Sequence, residues 1–122
     1  MVTTTNPVPI QINGDSNVAI VCNSHAAYFQ RVTLTWTVLR STIKVVFSGS
    51  GEGTKMTTEE GATGYKFTTQ QGIIINGPFT KAVVQQPIRN PIGDTTIITV
   101  TSEDSNDQDN NDSYLIIAVS NL

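Results

Sequence analysis

The sequence predicts an all-β fold, an antiparallel β-sandwich of about nine short strands with Greek-key connections. Two observations support this prediction. Short segments rich in valine, isoleucine and threonine recur along the chain, separated by glycine, proline and asparagine. No long segment places its apolar residues at helical spacing. A chain of 122 residues is expected to fold as one domain, residues 1–122, with a core that needs no disulfide.

The chain begins with a predicted hairpin. Residues 8–13 alternate apolar and polar side chains, and Pro9 restricts this segment to a sheet edge because proline donates no ladder hydrogen bond. Residues 13–16 combine asparagine, glycine and aspartate, which tolerate positive φ in a turn. Residues 17–22 form the second strand, and their apolar run indicates that both of its faces are covered.

Two further strands are predicted after a connection over residues 23–27. Residues 31–39 alternate strictly, which predicts a strand with one buried face. Trp36 is expected to anchor the core, with stacking on a surface ligand as the alternative. Residues 42–48 form the next strand. The buried face of the alternating strand comprises Val32, Leu34, Trp36 and Val38.

The second half of the chain begins with the glycine-rich residues 49–64, which are predicted to form a hairpin loop. A phosphate-binding loop would have to open a helix, and no helical period follows. Gly-Pro at residues 77–78 and Asn-Pro-Ile-Gly at residues 90–93 predict turns. The remaining predicted strands are residues 65–69, 72–76, 81–86, 95–101 and 114–119.

Composition excludes several classes of partner. The net charge is −3 and no cluster of lysine and arginine is present, so nucleic acid is not an expected partner. No apolar segment approaches the length of a membrane span, so no membrane insertion is expected. Cys22 is the only cysteine, which excludes an internal disulfide, and we expect it to be a buried, unreactive strand residue.

The N-terminal residues lack a basic region followed by an apolar run, so no signal peptide is predicted. We therefore expect synthesis in the cytoplasm. Release from the cell, or association with its surface, would then follow a non-classical route.

One acidic segment, residues 103–112, reads Glu-Asp-Ser-Asn-Asp-Gln-Asp-Asn-Asn-Asp and contains five of the ten carboxylates of the chain. Two carboxylates about 5 Å apart repel by roughly 3 kcal/mol at an effective dielectric of about 20. A solvated tail would avoid this cost. Predicted strands flank this segment on both sides and fix its ends, so the sequence predicts a metal site, with an unmetallated acidic loop as the alternative.

The donor types in the acidic segment favour calcium. Aspartate, glutamate and asparagine offer only oxygen, which suits Ca²⁺ in a flexible loop, whereas Mg²⁺ requires stricter octahedral geometry. Two calcium ions would supply a charge of about +4 against five carboxylates, so two ions are favoured over one. An EF-hand is disfavoured because Asp112 occupies the position of its glycine and Ala118 that of its bidentate glutamate.

No enzyme is predicted. His25 is the only histidine, it lies in the short polar connection, and no companion residue suggests a catalytic triad. Paired acids can hydrolyse glycosides, but one carboxyl then needs a raised pKa, and a metal between the two would keep both ionised.

A family resemblance rests on Ser102, Glu103 and Asp104 together with the aspartates and asparagine that follow them. The calcium loop of the bacterial two-calcium, fucose- and mannose-binding lectins of the PA-IIL type has a defined form. It reads Ser-Glu-Asp, two free positions, Asp, one free, Asp, one free, Asn-Asp. Every defined position is filled here, and the chain resembles this family strongly over residues 102–112 and weakly elsewhere.

The resemblance implies two calcium ions per site. It assigns one ion to Glu103, Asp107, Asp109 and Asp112, and the other to Asp109, Asn111, Asp112 and the backbone carbonyl of Asn23. The last ligand would be the C-terminal carboxylate of Leu122 from a second subunit, in a homodimer that exchanges these groups reciprocally, with a homotetramer as a larger assembly. A strand over residues 113–122 would span about 30 Å, so it would keep the chain end away from its own loop.

The resemblance also implies a sugar site. Asp104 would accept a hydrogen bond from a sugar hydroxyl, and Ser24, His25 and Ala26 would form the specificity segment. Ser24 resembles the fucose-preferring members, whereas the other two positions depart from the best-known member, so fucose and mannose both remain open. The expected function is a calcium-dependent lectin that cross-links glycans, and the alternative is a calcium-stabilised structural or adhesion module without sugar affinity.

Overall fold

The computed structural model describes residues 4–5, 8–38, 40–69, 71–76, 83–85, 87–103 and 113–121. These residues form eleven β-strands and no helix, which confirms the all-β class. None of them therefore belongs to a helix of the length and apolarity that a membrane span requires. In chain order the strands are β1 (Thr4–Thr5), β2 (Val8–Ile12), β3 (Ser16–Val38), β4 (Ser41–Lys55), β5 (Thr57–Glu60), β6 (Gly64–Phe67), β7 (Gln71–Asn76), β8 (Val83–Gln85), β9 (Ile88–Ile92), β10 (Thr95–Glu103) and β11 (Ser113–Asn121).

All of these strands belong to one continuous antiparallel sheet that curls into the layers of a β-sandwich. The main path runs β1-β8-β10-β11-β3-β4-β5, with β9 beside β10 and with β2 beside β7. Strands β3, β4 and β5 follow one another in the chain and lie side by side, and β11 returns to pair with β3. This order, β11-β3-β4-β5, is that of a Greek key. The long strand β3 pairs with β11 and β6 through its first half and with β4 and β7 through its second half, so it connects the two layers.

The alternating strand around Trp36 is confirmed, and Trp36 anchors the core as expected. Its side chain is only 3% exposed. Its ring lies 4.9 Å from that of Tyr65, in an edge-to-face arrangement, and 5.3 Å from that of Phe67. The same face of β3 contributes Val32 and Leu34 to the core, with Val38 partly buried against it.

The predicted hairpin between the first two strands is wrong. Strand β2 pairs with β7, where Ile10 faces Ile73, and among the described strands it has no other partner, as Pro9 predicted for an edge strand. The turn itself is present, and Asp15 adopts a φ of 56°. The residue types in the turn therefore predicted the bend correctly, but they did not predict which strand pairs with β2.

The predicted connection over residues 23–27 is also wrong, because β3 continues through it. The β3–β4 register shifts between Ser24 and His25 and again between Ala26 and Gln30. Polar residues that predicted a loop thus form bulges within a strand. Within the single chain only one face of residues 17–22 is covered, since Val21 on the other face is 36% exposed.

The hairpin loop predicted over the glycine-rich residues 49–64 is wrong for most of its length, because these residues form the end of β4 and the whole of β5. Gly51, Gly53 and Gly61 adopt positive φ, which permits the irregular pairing there. The turn predicted at residues 90–93 is shorter than expected, because β9 continues to Ile92 and only Gly93 and Asp94 connect it to β10. The turn predicted at residues 77–78 lies outside the described residues.

Candidate functional site

The acidic segment is bracketed by two paired strands. Strand β10 ends at Glu103 and β11 begins at Ser113, and Ser102 is the Cα partner of Ser113 across the ladder. The strand assignment on either side of the segment is thus confirmed. The other residues predicted as metal or sugar ligands in this segment, and the predicted ligand at the chain end, lie outside the described residues: Asp104, Asp107, Asp109, Asn111, Asp112 and Leu122.

A third strand brings the predicted specificity segment to the same place. Ser113 is the Cα partner of Ser24, and Tyr114 is the partner of Asn23. Strand β3 then continues past the start of β11, through His25. The fold therefore places Asn23, which the resemblance assigns to the second calcium ion, and Ser24 and His25, which it assigns to sugar selection, beside the start of β11. Sequence spacing alone did not show this.

The side chains of this part of β3 point to opposite faces. Ser24 is fully buried, opposite the equally buried Ser113, whereas Asn23 and His25 are half-buried on the other face. Ala26, the third residue of the predicted specificity segment, also lies in β3, and its pairing partner is Gly51.

Sequence reasoning missed Tyr114. Its ring centroid lies 4.8 Å from that of His25, with the ring planes inclined at 48°. The residue follows the acidic segment almost directly and is half-buried. Only the strand pairing shows the contact, because a tyrosine in an apolar β-strand is ordinarily read as a core residue.

The backbone next to His25 is irregular on the neighbouring strand as well. Ser24 pairs with Thr54 but His25 pairs with Glu52, so Gly53 has no partner in the ladder. Gly53 adopts a φ of 62°, a conformation that side chains disfavour. A bulge of this kind turns nearby side chains away from their regular directions and is common beside binding sites.

The donor chemistry of the region fits a calcium ion better than a soft metal. The described residues contain no group of three or more histidine, cysteine, aspartate or glutamate side chains that could hold a metal ion. Cys22 lies next to Asn23, but burial raises the pKa of its thiol to about 12, so it is not available as a thiolate ligand.

The outer face of β3, β9, β10 and β11, which leads away from the site, has no charged side chain at its described positions, and Lys66 and Lys55 border it on β6 and β4. This face is formed by alternate residues at positions 17–23 in β3, 88–92 in β9, 95–101 in β10 and 114–120 in β11. A row of Ile88, Thr99, Ile116 and Val21 crosses it from strand to strand. Ile88 is 60% exposed and Ile92 66% exposed. Charged side chains are depleted at the centres of protein–protein interfaces, and the centre of this face shares that property.

Comparisons with known proteins agree with this architecture. The family model for fucose-binding lectin II (PA-IIL) matches residues 10–121. The fold is similar to that of a high-affinity mannose-binding lectin from Ralstonia solanacearum, with a TM-score of 0.64 and 18% identity over 90% of this chain and 93% of that one. No curated protein sequence matches the chain.

Two further solved structures share the fold. A Chromobacterium violaceum lectin in complex with alpha-methyl-fucoside gives a TM-score of 0.64 at 16% identity, over 93% of this chain and 96% of that one. The C-terminal domain of a Burkholderia cenocepacia lectin gives a TM-score of 0.55 at 15% identity, over 95% and 97% of the two chains.

Proposed function

The chain belongs to the fucose-binding lectin II (PA-IIL) family of carbohydrate-binding proteins, and on this premise we propose that it is a calcium-dependent lectin for fucose- or mannose-type sugars. The observation that carries the proposal is the register of three strands. Ser102, Ser113 and Ser24 are consecutive partners across β10, β11 and β3, so both ends of the acidic segment are fixed beside the specificity segment.

The metal ligands follow from the family pattern that the acidic segment fills. Glu103, Asp107, Asp109 and Asp112 would hold one calcium ion. Asp109, Asn111, Asp112 and the carbonyl of Asn23 would hold the other. Calcium, when bound, supplies open coordination positions that sugar hydroxyl oxygens can fill. The paired strand ends limit how far these carboxylates can separate, which favours ion binding over a loose acidic loop.

The sugar would be oriented by residues on both sides of the acidic segment. Asp104 would accept a hydrogen bond from a sugar hydroxyl. His25 and Ala26 would contact the part of the sugar that distinguishes fucose from mannose, and the buried Ser24 would contribute to selection by fixing the backbone beside them. The half-buried imidazole of His25 and the opposite direction of the buried Ser24 side chain give this segment two different faces.

We further propose that the functional unit is a homodimer, in which Leu122 of each subunit donates its terminal carboxylate to the site of the other. Strand β11 remains paired as far as Asn121, the partner of Ser16, so it leads the chain away from its own acidic segment. The uncharged outer face supports the same assembly, since burying its centre against a second copy desolvates no charge, and the ammonium groups of Lys66 and Lys55 lie only at its border. Two sites in one dimer would allow cross-linking of glycans.

Titration calorimetry with methyl α-fucoside and methyl α-mannoside tests the proposal. Heat of binding should be measurable with calcium present, vanish with a chelator, and return when calcium is restored. Sugar binding that survives complete chelation would overturn the calcium dependence. If calcium raised the melting temperature while neither sugar produced heat or a further shift, the chain would be a calcium-stabilised structural module instead.

A further inference from the structure

Tyr114 and His25 form an aromatic pair at the edge of the proposed sugar site. Their ring centroids are 4.8 Å apart and their planes are inclined at 48°. Both side chains are half-buried. Tyr114 has no role in the family pattern described above, and its contact with His25 is the only described ring contact that either residue makes.

Strand register explains why these two rings meet. Tyr114 is the direct partner of Asn23, and His25 lies two residues further along β3 on the same face. It is therefore the diagonal neighbour of Tyr114, at a separation that aromatic side chains can bridge. The β3–β4 register shifts between Ser24 and His25, so the ladder on that side of the imidazole is irregular, whereas Tyr114 contacts the ring from the β11 side.

From this geometry we infer that Tyr114 is a positioning residue for sugar selectivity, which acts by holding the imidazole of His25 in one orientation. The inference rests on the proposed lectin function and extends it to a residue outside the sugar contacts. Fucose has a methyl group where mannose has a hydroxymethyl group. A ring held in one position can discriminate between those two groups, whereas a ring that exchanges between rotamers interacts with both in an averaged way.

The test compares Tyr114→Val and Tyr114→Phe with the parent protein. Valine keeps a strand-forming side chain but removes the ring, whereas phenylalanine keeps the ring and removes only the hydroxyl. Calorimetry with calcium and each methyl glycoside gives the ratio of the fucose and mannose affinities. Tyr114→Val should change this ratio by about three- to tenfold, the fold-change that corresponds to loss of one aromatic pair. Tyr114→Phe should keep the parental ratio, and calcium uptake should be equal in all three proteins.

A double-mutant cycle with His25→Ala separates positioning from general packing. If Tyr114 acts through His25, Tyr114→Val should leave the sugar ratio unchanged when His25 is already alanine. Three results would each overturn the inference. Tyr114→Val could weaken the binding of both sugars equally, it could change the affinity ratio just as much in the His25→Ala background, or Tyr114→Phe could change the ratio as much as Tyr114→Val does. A parent protein that binds neither sugar with calcium present would instead refute the proposed function, so the two failures are distinguishable.

Discussion

Ser102 and Ser113 face each other across the β10–β11 ladder, at the two ends of the acidic segment. Direct partners in an antiparallel pair have Cα atoms about 4.5–5.5 Å apart. A segment with five carboxylates therefore begins and ends at nearly the same point, and separation of its ends cannot relieve the repulsion. Calcium bound between those carboxylates is expected to stabilise the fold as well as to form the site.

Replacing Asp109 should abolish sugar binding, because this carboxylate is proposed to contact both ions. We expect Asp109→Ala to show no heat with either methyl glycoside and to lose most of the calcium-induced rise in melting temperature. Asp94→Ala is the matched control. Asp94 is an exposed aspartate in the β9–β10 turn, and this turn lies at the opposite end of β10 from the acidic segment. Calcium-dependent sugar binding that persists in Asp109→Ala would contradict the proposed ligand set.

A charge placed on the uncharged outer face should prevent dimerisation. Val21→Lys introduces an ammonium group in the middle of that face, where it would lose its hydration in the dimer. Ile74→Lys is the matched control, because Val21 and Ile74 are 36% and 37% exposed but Ile74 lies on β7 in the other part of the sheet. Sedimentation velocity should give a monomer for the first variant and the parental mass for the second. Equal masses for the two variants would place the subunit contact elsewhere.

The buried thiol of Cys22 should make stability fall at high pH. Burial raises the pKa of this thiol from 9.0 to about 12, so the folded state retains its proton more strongly than the unfolded chain. The stabilising contribution is complete below pH 9.0 and is lost as pH rises from there towards about 12. Urea denaturation at a series of pH values should show a shallower decline for Cys22→Ala than for the parent. Parallel curves for the two proteins would show that the thiol does not contribute to the decline.

Removing the indole of Trp36 should destabilise the fold more than removing any exposed side chain. Truncation of a buried tryptophan to alanine costs about 3–5 kcal/mol, since it leaves a cavity and removes the ring contacts with Tyr65 and Phe67. Trp36→Phe should cost less, because a smaller ring still fills part of the space. Urea unfolding at one fixed protein concentration measures both values, and a loss below about 1 kcal/mol for Trp36→Ala would contradict its role in the core.

Much of the fold followed from local pattern. The alternation around Trp36 predicted which face of that strand is buried, and the β-branched segments on both sides of the acidic segment predicted the strands that fix its ends. Two of the errors came where polar or glycine-rich residues were read as loops. Residues 23–27 are strand despite their composition, because long-range pairing with β4 and β11 outweighs weak local preference.

The sequence by itself determined the chemistry of the acidic segment, since charge, donor type and spacing are properties of the residues alone. Only the tertiary structure decided that β2 pairs with β7 and that Tyr114 contacts His25. The physical reason is that a strand presents the same hydrogen-bonding groups to any partner. Its neighbour is therefore chosen by how the whole chain buries its apolar faces together, and the contacts between neighbouring strands follow from that choice.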